Sequence, residues 1–216
     1  MASFDTRAIR RQLASMADTV TRRTDSAPQG GGSIPGGNGA PAFSLTRRSG
    51  APVVLAVPHA GRAYPTDLLA QMRHAPEASL RLEDRFADLI AEAVARETGA
   101  ALIVAHAPRA MIDLNRAPDD IDWDMIAGGA GGRHTRLAAG RRARSGLGLI
   151  PRRLPGLGEL WRRRLTPDEL DARLEGVHRP YHAALGHVLE HLRDQWGSAL
   201  LIDLHSMPPL GPKRGT

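Results

Sequence analysis

The amino-acid sequence predicts an α/β protein built on a layered sheet, and three observations predict it. Short apolar runs recur at 52–57, 101–105 and 199–204, the first of them rich in β-branched residues. Segments with helical spacing of apolar residues lie between them, at 86–97 and 167–196. Residues able to do chemistry follow the runs: Pro58-His59-Ala60-Gly61, then Ala107-Pro108-Arg109, then Asp203-Leu204-His205-Ser206. Strands that are apolar throughout, separated by helices, belong in a sheet covered on both faces. Ligands of such sheets bind beyond the carboxyl ends of the strands, so the three polar segments share one expected mouth.

Each element follows in order. Residues 5–22 can form a helix, although its apolar stripe is thin, and residues 25–42 are too rich in Gly, Pro and Ser to order themselves. Residues 1–45 are therefore expected to be a variable arm and linker, with one α/β domain over 46–216. The 52–57 run is broken by Pro58. Phe86, Leu89, Ile90, Ala93, Val94 and Glu97 carry the next helix, which Gly99 stops. The strand at 101–105 follows, and 111–114 is read as another. Residues 119–158 are loop-like, and 167–196 form a helix broken or kinked at Pro180. The last strand is 199–204.

Composition narrows the chemistry. Among 216 residues there is no cysteine, which removes disulfides, thiol nucleophiles and zinc-cysteine sites. No window approaches the roughly 18 apolar residues of a spanning helix and no secretory signal is visible, so a soluble cytoplasmic protein with no membrane partner is expected. The net charge of +6 comes almost entirely from arginine, Lys213 being the only lysine. An Arg-rich nucleic-acid-binding protein is one reading of that charge, but stacking aromatics are scarce at 4%, and no nucleic acid is expected.

His59 and His205 offer two imidazoles at strand ends. A hydrolytic zinc site takes three protein ligands and a water, so a carboxylate completes the set, with Glu83 and Asp84 as candidates. Asp84 and Asp88 also suit a helix N-terminus. Arg109, Asp113, Asn115 and Arg116 form a second cluster: arginine binds carboxylates bidentately, asparagine adds a directional donor, and Asp113 can hold an arginine in place. Tyr181 and His182 can reach the site. His187 and His191 are read as solvated, and His178 and His182 are discounted as a pair because Pro180 disturbs their spacing. Phosphate-loop and nucleophile-elbow signatures are absent.

Pro58-His59-Ala60-Gly61-Arg62-Ala63-Tyr64-Pro65 resembles the Pro-His-Ser-Gly-x-x-Tyr-Pro signature of the N-formylglutamate amidohydrolases. Asp84 to Asp88, Arg109 through Arg116, Pro180-Tyr181-His182 and Asp203-Leu204-His205-Ser206 follow in that family's order, over roughly 50–210. The resemblance implies a three-layer α/β/α fold with a mixed, mostly parallel central sheet, phosphorylase/hydrolase-like and related to zinc carboxypeptidases and aspartoacylase. It implies hydrolysis of a small N-acyl amino acid, with N-formyl-L-glutamate giving formate and glutamate as the type reaction, and one Zn2+ per chain. Carried over by position, His59, Asp84 and His205 hold the metal, with Glu83 in reserve. Arg109 stabilises the oxyanion, Asn115 and Arg116 clamp the substrate carboxylate, and Asp203 orients a metal-binding histidine. Ala60 stands where the family has Ser. The chain continues eleven residues past His205 where the family runs on for tens, so the family's C-terminal part is expected to be lacking. In the carboxypeptidases a glutamate in that part is the general base, and here Glu83, Asp88 or His182 is expected to substitute. A non-catalytic metal-binding relative is the alternative, and a homo-oligomer is compatible with either.

Overall fold

The computed structural model describes residues 27–129 and 140–207. The helix expected over 5–22 lies outside them, as do Gly131, Gly132 and the tail beyond Met207. Strands β1 (Gln29–Gly31), β2 (Phe43–Thr46), β3 (Val53–Val57) and β4 (Ala101–Ala105) enter the main sheet first. Helices α1 (Thr66–Gln71), α2 (Ala75–Leu82) and α3 (Ala87–Thr98) connect β3 to β4. After a short helix α4 (Arg141–Arg144), β5 (Arg153–Leu154) and β6 (Gly158–Glu159) make a separate two-stranded ribbon. Helix α5 (Pro167–Arg173), a π-helical turn (Leu174–His178) and α6 (Arg179–Trp196) then lead to β7 (Leu200–Asp203).

The main sheet has the order β1-β2-β4-β3-β7. Strands β4, β3 and β7 are parallel, and β1 and β2 add antiparallel pairings. Alternation along the strands splits the core in two. Leu55, Val57, Leu102 and Val104 meet the alanines of α3 on one face. Val54, Ala56, Ile103 and Ala105 face the other way, into the larger core that holds Tyr181, Leu185, Val188 and Leu192 of α6. The protein is thus a three-layer α/β/α structure with a mixed sheet. Connections from β3 to β4 and from β4 back across to β7 run in opposite directions, and their helices cover opposite faces, as crossovers of one hand require.

Four details differ from the sequence reading. Part of the expected linker is ordered: β1 pairs with β2, and Ile34 between them is buried. Gly31 permits this, because a Cβ there would lie 2.3 Å from the Phe43 ring. Residues 111–114 form a turn instead of a strand, because the Pro108 carbonyl accepts from Met111 N and the Asp113 carboxylate collects the Asn115 amide. Helix α3 turns Ala87, Ala91 and Ala95 to the sheet and leaves Phe86, Leu89, Ile90 and Val94 exposed. Alanine lets the helix lie close against the strands, at the cost of forgoing about 1.5–3 kcal/mol for each large side chain left in water. Finally, Pro180 does not break the long helix. It sits in the first turn of α6, where a missing N–H costs little.

Candidate active site

The carboxyl ends of β3, β4 and β7 bring the three polar segments together. Gly61 is required where the first two meet, since a Cβ there would stand 2.0 Å from the Ala107 carbonyl oxygen. That close approach carries the buried His59 under the loop that follows β4. Asp84 N donates to the His59 carbonyl oxygen at 2.9 Å, which fixes the segment between α2 and α3 against the end of β3. Strand β7 is the other parallel neighbour of β3 and delivers His205.

His59, Asp84 and His205 converge so that one ligand atom from each lies within 4.8 Å of the others, a group able to hold a metal ion. His205 Nδ1 donates to Asp84 Oδ2 at 2.8 Å, and Asn115 Nδ2 donates to His205 Nε2 at 3.2 Å. His59 Nδ1 lies 3.5 Å from Asp84 Oδ2, and it is buried without a hydrogen-bond partner. His59 Nε2 instead donates to Asp113 Oδ1 at 2.7 Å. A buried imidazole braced by a carboxylate on one nitrogen, with the other turned to a histidine and a second carboxylate, is the usual setting of a metal ligand.

Electrostatics follow the same contacts. Burial pulls the His59 imidazole down, but the hydrogen bond to Asp113 and the nearby Asp84 carboxylate outweigh it and leave its pKa raised. Burial alone would raise Asp84, yet the nearby His59 imidazole and the bond from His205 hold it below the ordinary carboxylate value. Asp113 is fully buried, which opposes its charge. Even so its pKa is pushed down to about 2 by the His59 bond, the charges of His59 and Arg109, and the Asn115 amide.

Asp113 also accepts from Arg109 Nε at 2.9 Å, so one carboxylate orients a histidine of the candidate metal group and an arginine of the second cluster. Arg116 Nε donates to the Leu147 carbonyl oxygen at 3.1 Å and Nη1 to that of Asn115 at 2.5 Å. Two cavities open at this end of the sheet. One, of about 680 Å³, is lined by Glu83, Asp84, Arg85, Arg109 and Ser206 among others. The other, of about 630 Å³, is lined by Asn115, Arg116, His178, Arg179 and His182 with Leu114, Ala117 and Pro118. His205 bonds to Asp84 of the first and Asn115 of the second, and so stands between them.

The remaining expected site residues are placed less uniformly. Glu83 is buried beside Asp84, with Arg85 Nε donating to it at 3.1 Å. Asp88 pairs with Arg62 and lines neither cavity. Tyr181 is a core residue, 1% exposed and edge-on to Phe43 at 5.6 Å, and it lines neither cavity. Asp203 shares the sheet face of its register partner Ala56, the side of α6, and its charge acts on Tyr181 and His182. From outside the group, the carboxylate bonded to one of its histidines is Asp113, a contact expected of Asp203. His187 and His191 are exposed. His178 and His182, discounted as a pair, have ring centroids 4.3 Å apart because the helix passes Pro180 unbroken. Sequence reasoning missed Arg173 and His178, both buried. The available signal was two polar residues bordering the apolar stripe Leu170, Leu174, Val177, Tyr181.

The family model for N-formylglutamate amidohydrolase matches residues 51–215. The chain belongs to that family. An N-formylglutamate deformylase from Pseudomonas putida is 32% identical over 162 residues, covering 72% of this chain and 52% of that protein. The solved N-formylglutamate amidohydrolase of Ralstonia eutropha is 37% identical with a TM-score of 0.68, over 77% of this chain and 58% of the other. A gene product of Agrobacterium tumefaciens shares the fold, with a TM-score of 0.57 at 17% identity over 78% of this chain and 57% of the other. This amidohydrolase-family chain thus spans between a half and three fifths of the length of these relatives. Among its described residues no helix is long and apolar enough to cross a membrane.

Proposed function

We propose that this site hydrolyses the amide bond of a small N-acyl amino acid bearing a carboxylate, with N-formyl-L-glutamate and water giving formate and L-glutamate. The observation that carries the reading is the buried, partnerless Nδ1 of His59, facing Asp84 and His205 and backed by Asp113. Two imidazoles and one carboxylate suit zinc, and the orphaned nitrogen gives the donor set a purpose. A zinc ion held there supplies Lewis acidity that polarises an acyl carbonyl and acidifies water.

The side chains around it divide the remaining work. Asn115 and Arg116, at the second cavity, hold the substrate carboxylate, with Arg116 Nη2 free of the two backbone bonds that orient its guanidinium. Arg109 is tied to Asp113 through Nε and presents its terminal nitrogens to the oxyanion that develops on the acyl group, a contact worth about 3 kcal/mol. Glu83 takes a proton from the attacking water. The water oxygen bonds to the acyl carbon, the C–N bond breaks, and the proton held by Glu83 goes to the departing nitrogen.

The test joins metal content of the purified protein to formate release from N-formyl-L-glutamate, with and without added zinc. About one metal per chain, lost in His59→Ala and His205→Ala, together with zinc-dependent formate release, is expected. Stoichiometric metal without turnover on any N-acyl amino acid would favour a non-catalytic metal-binding relative. A chain that binds no metal would overturn the reading.

A further inference from the structure

The helix that crosses the back of the sheet reaches the site loop with two side chains, and both end on main-chain carbonyls. Arg173 Nη1 donates to the Met111 oxygen at 2.9 Å. His178 Nε2 donates to the Arg116 oxygen at 2.9 Å. Between Met111 and Arg116 lie Asp113, which braces His59, and Asn115, which bonds His205. The two held carbonyls thus bracket both residues that touch the group of His59, Asp84 and His205.

The π-helical turn Leu174–His178 makes this reach geometrically feasible. In an α-helix, residues five apart point about 140° away from each other. A turn closed by i to i+5 bonds brings them back to nearly the same face, so Arg173 and His178 point toward one loop. His178 closes the turn four residues before His182, and their rings lie tilted at 45° with centroids 4.3 Å apart. The chain tolerates this uncommon turn at a tight spot: Gly176 sits on Ser33, where a Cβ would lie 2.5 Å from the carbonyl oxygen. Arg173 is buried beneath the Trp161 ring, its carbon 5.1 Å from the ring centroid, so it is anchored on its far side too.

We infer that Arg173 and His178 are positioning residues, a pair aligned by the π-helical turn to fix the loop that carries Asp113, Asn115 and Arg116. They act through the loop backbone and need not touch substrate. Burial depresses the pKa of His178, and a neutral imidazole with Nε2–H suffices to donate to a carbonyl. The inference deepens the proposed function, since it assigns how that site is held in shape, but its first readout is independent of turnover.

The experiment compares His178→Leu, which loses the donor, with His178→Gln, which keeps a neutral donor of similar reach. Amide hydrogen exchange over 113–116 is expected to speed up at least tenfold in the leucine variant and to return toward the parent rate in the glutamine variant. Zinc affinity by chelator competition, and KM for N-formyl-L-glutamate, should weaken about tenfold in the same pattern, with kcat less affected. Should His178→Leu fail to fold, His178→Phe, which keeps a ring of similar size without a donor, reads the Arg116 contact in the same way. A folded leucine or phenylalanine variant with parent-like exchange over 113–116 would overturn the inference. If the parent protein shows the exchange pattern but neither binds zinc nor releases formate, the proposed function fails while the positioning role stands.

Discussion

Asp113 accepts hydrogen bonds from His59, Arg109 and the Asn115 amide, and a single atom change disturbs all three. In Asp113→Asn one acceptor becomes a donor facing another donor. Metal affinity is expected to fall 10–100-fold, read by competition with a chromogenic chelator, since outer carboxylates contribute on that scale. The two arginines of the loop are distinguished by what they reach. Arg116 lines the cavity assigned to the substrate carboxylate, so Arg116→Ala should raise KM and leave kcat nearly intact. Arg109 is assigned to charge that appears during the reaction, so Arg109→Ala should lower kcat by about 10²–10³. Steady-state kinetics on N-formyl-L-glutamate separates the two, and identical kinetics in both variants would remove the assignment. These residues were legible in the sequence because they leave the ends of strongly apolar strands. Arg173 and His178 were not, because their role depends on a π-helical turn that no local pattern announces.

Among the elements, α5 has the clearest acid dependence. Thr166 Oγ1 accepts from Glu169 N at 3.2 Å while the Glu169 carboxylate accepts from Thr166 N at 2.8 Å and pairs with Arg163. Arg163, and then the Thr166 amide, hold Glu169 down to about 2, against an ordinary value of 4.5. A carboxyl depressed in the folded state contributes stability above its unfolded pKa and loses it as pH falls through the folded one. Chemical denaturation should therefore show Glu169→Gln less stable than the parent at pH 7, with the difference disappearing between about pH 5 and 2. Thr166→Ala should cost about 1 kcal/mol at neutral pH. Strands β3, β4 and β7 were readable from their apolar runs, and α3 from its spacing. The inward face of α3 was not, because large side chains mark the buried side of most helices, whereas close packing on this sheet selects alanine. Strand β1 was hidden for a related reason: Gln29–Gly31 has no apolar side chain to show, and joins the sheet through backbone pairing alone.

For the whole molecule, charge and apolar surface are organised differently from what composition suggests. Arg152, Arg153 and Arg163 are engaged by Asp122, Glu159 and Glu169, which turns part of the basic excess into local ion pairs. Exposed apolar surface is concentrated instead on the outer face of α3, at Phe86, Leu89, Ile90 and Val94, and on β7 at Leu200 and Ile202. Clustered apolar surface promotes association. Ile90→Lys is expected to suppress concentration-dependent scattering while leaving zinc affinity within twofold of the parent, and light scattering over a concentration series checks it. The layered architecture itself was legible because continuous apolar strands demand cover on two faces.

His205 follows β7, which among the described residues is an outer strand of the main sheet bonded on one side to β3. Strands so placed detach more readily than central ones. Two of the three side chains of the candidate metal group are buried and the third follows this strand, so for an ion held there we predict a gated release whose gate is the peeling of β7. Raising the concentration of a strong chelator should then accelerate ion loss only up to a plateau, and that plateau is the opening rate of the strand.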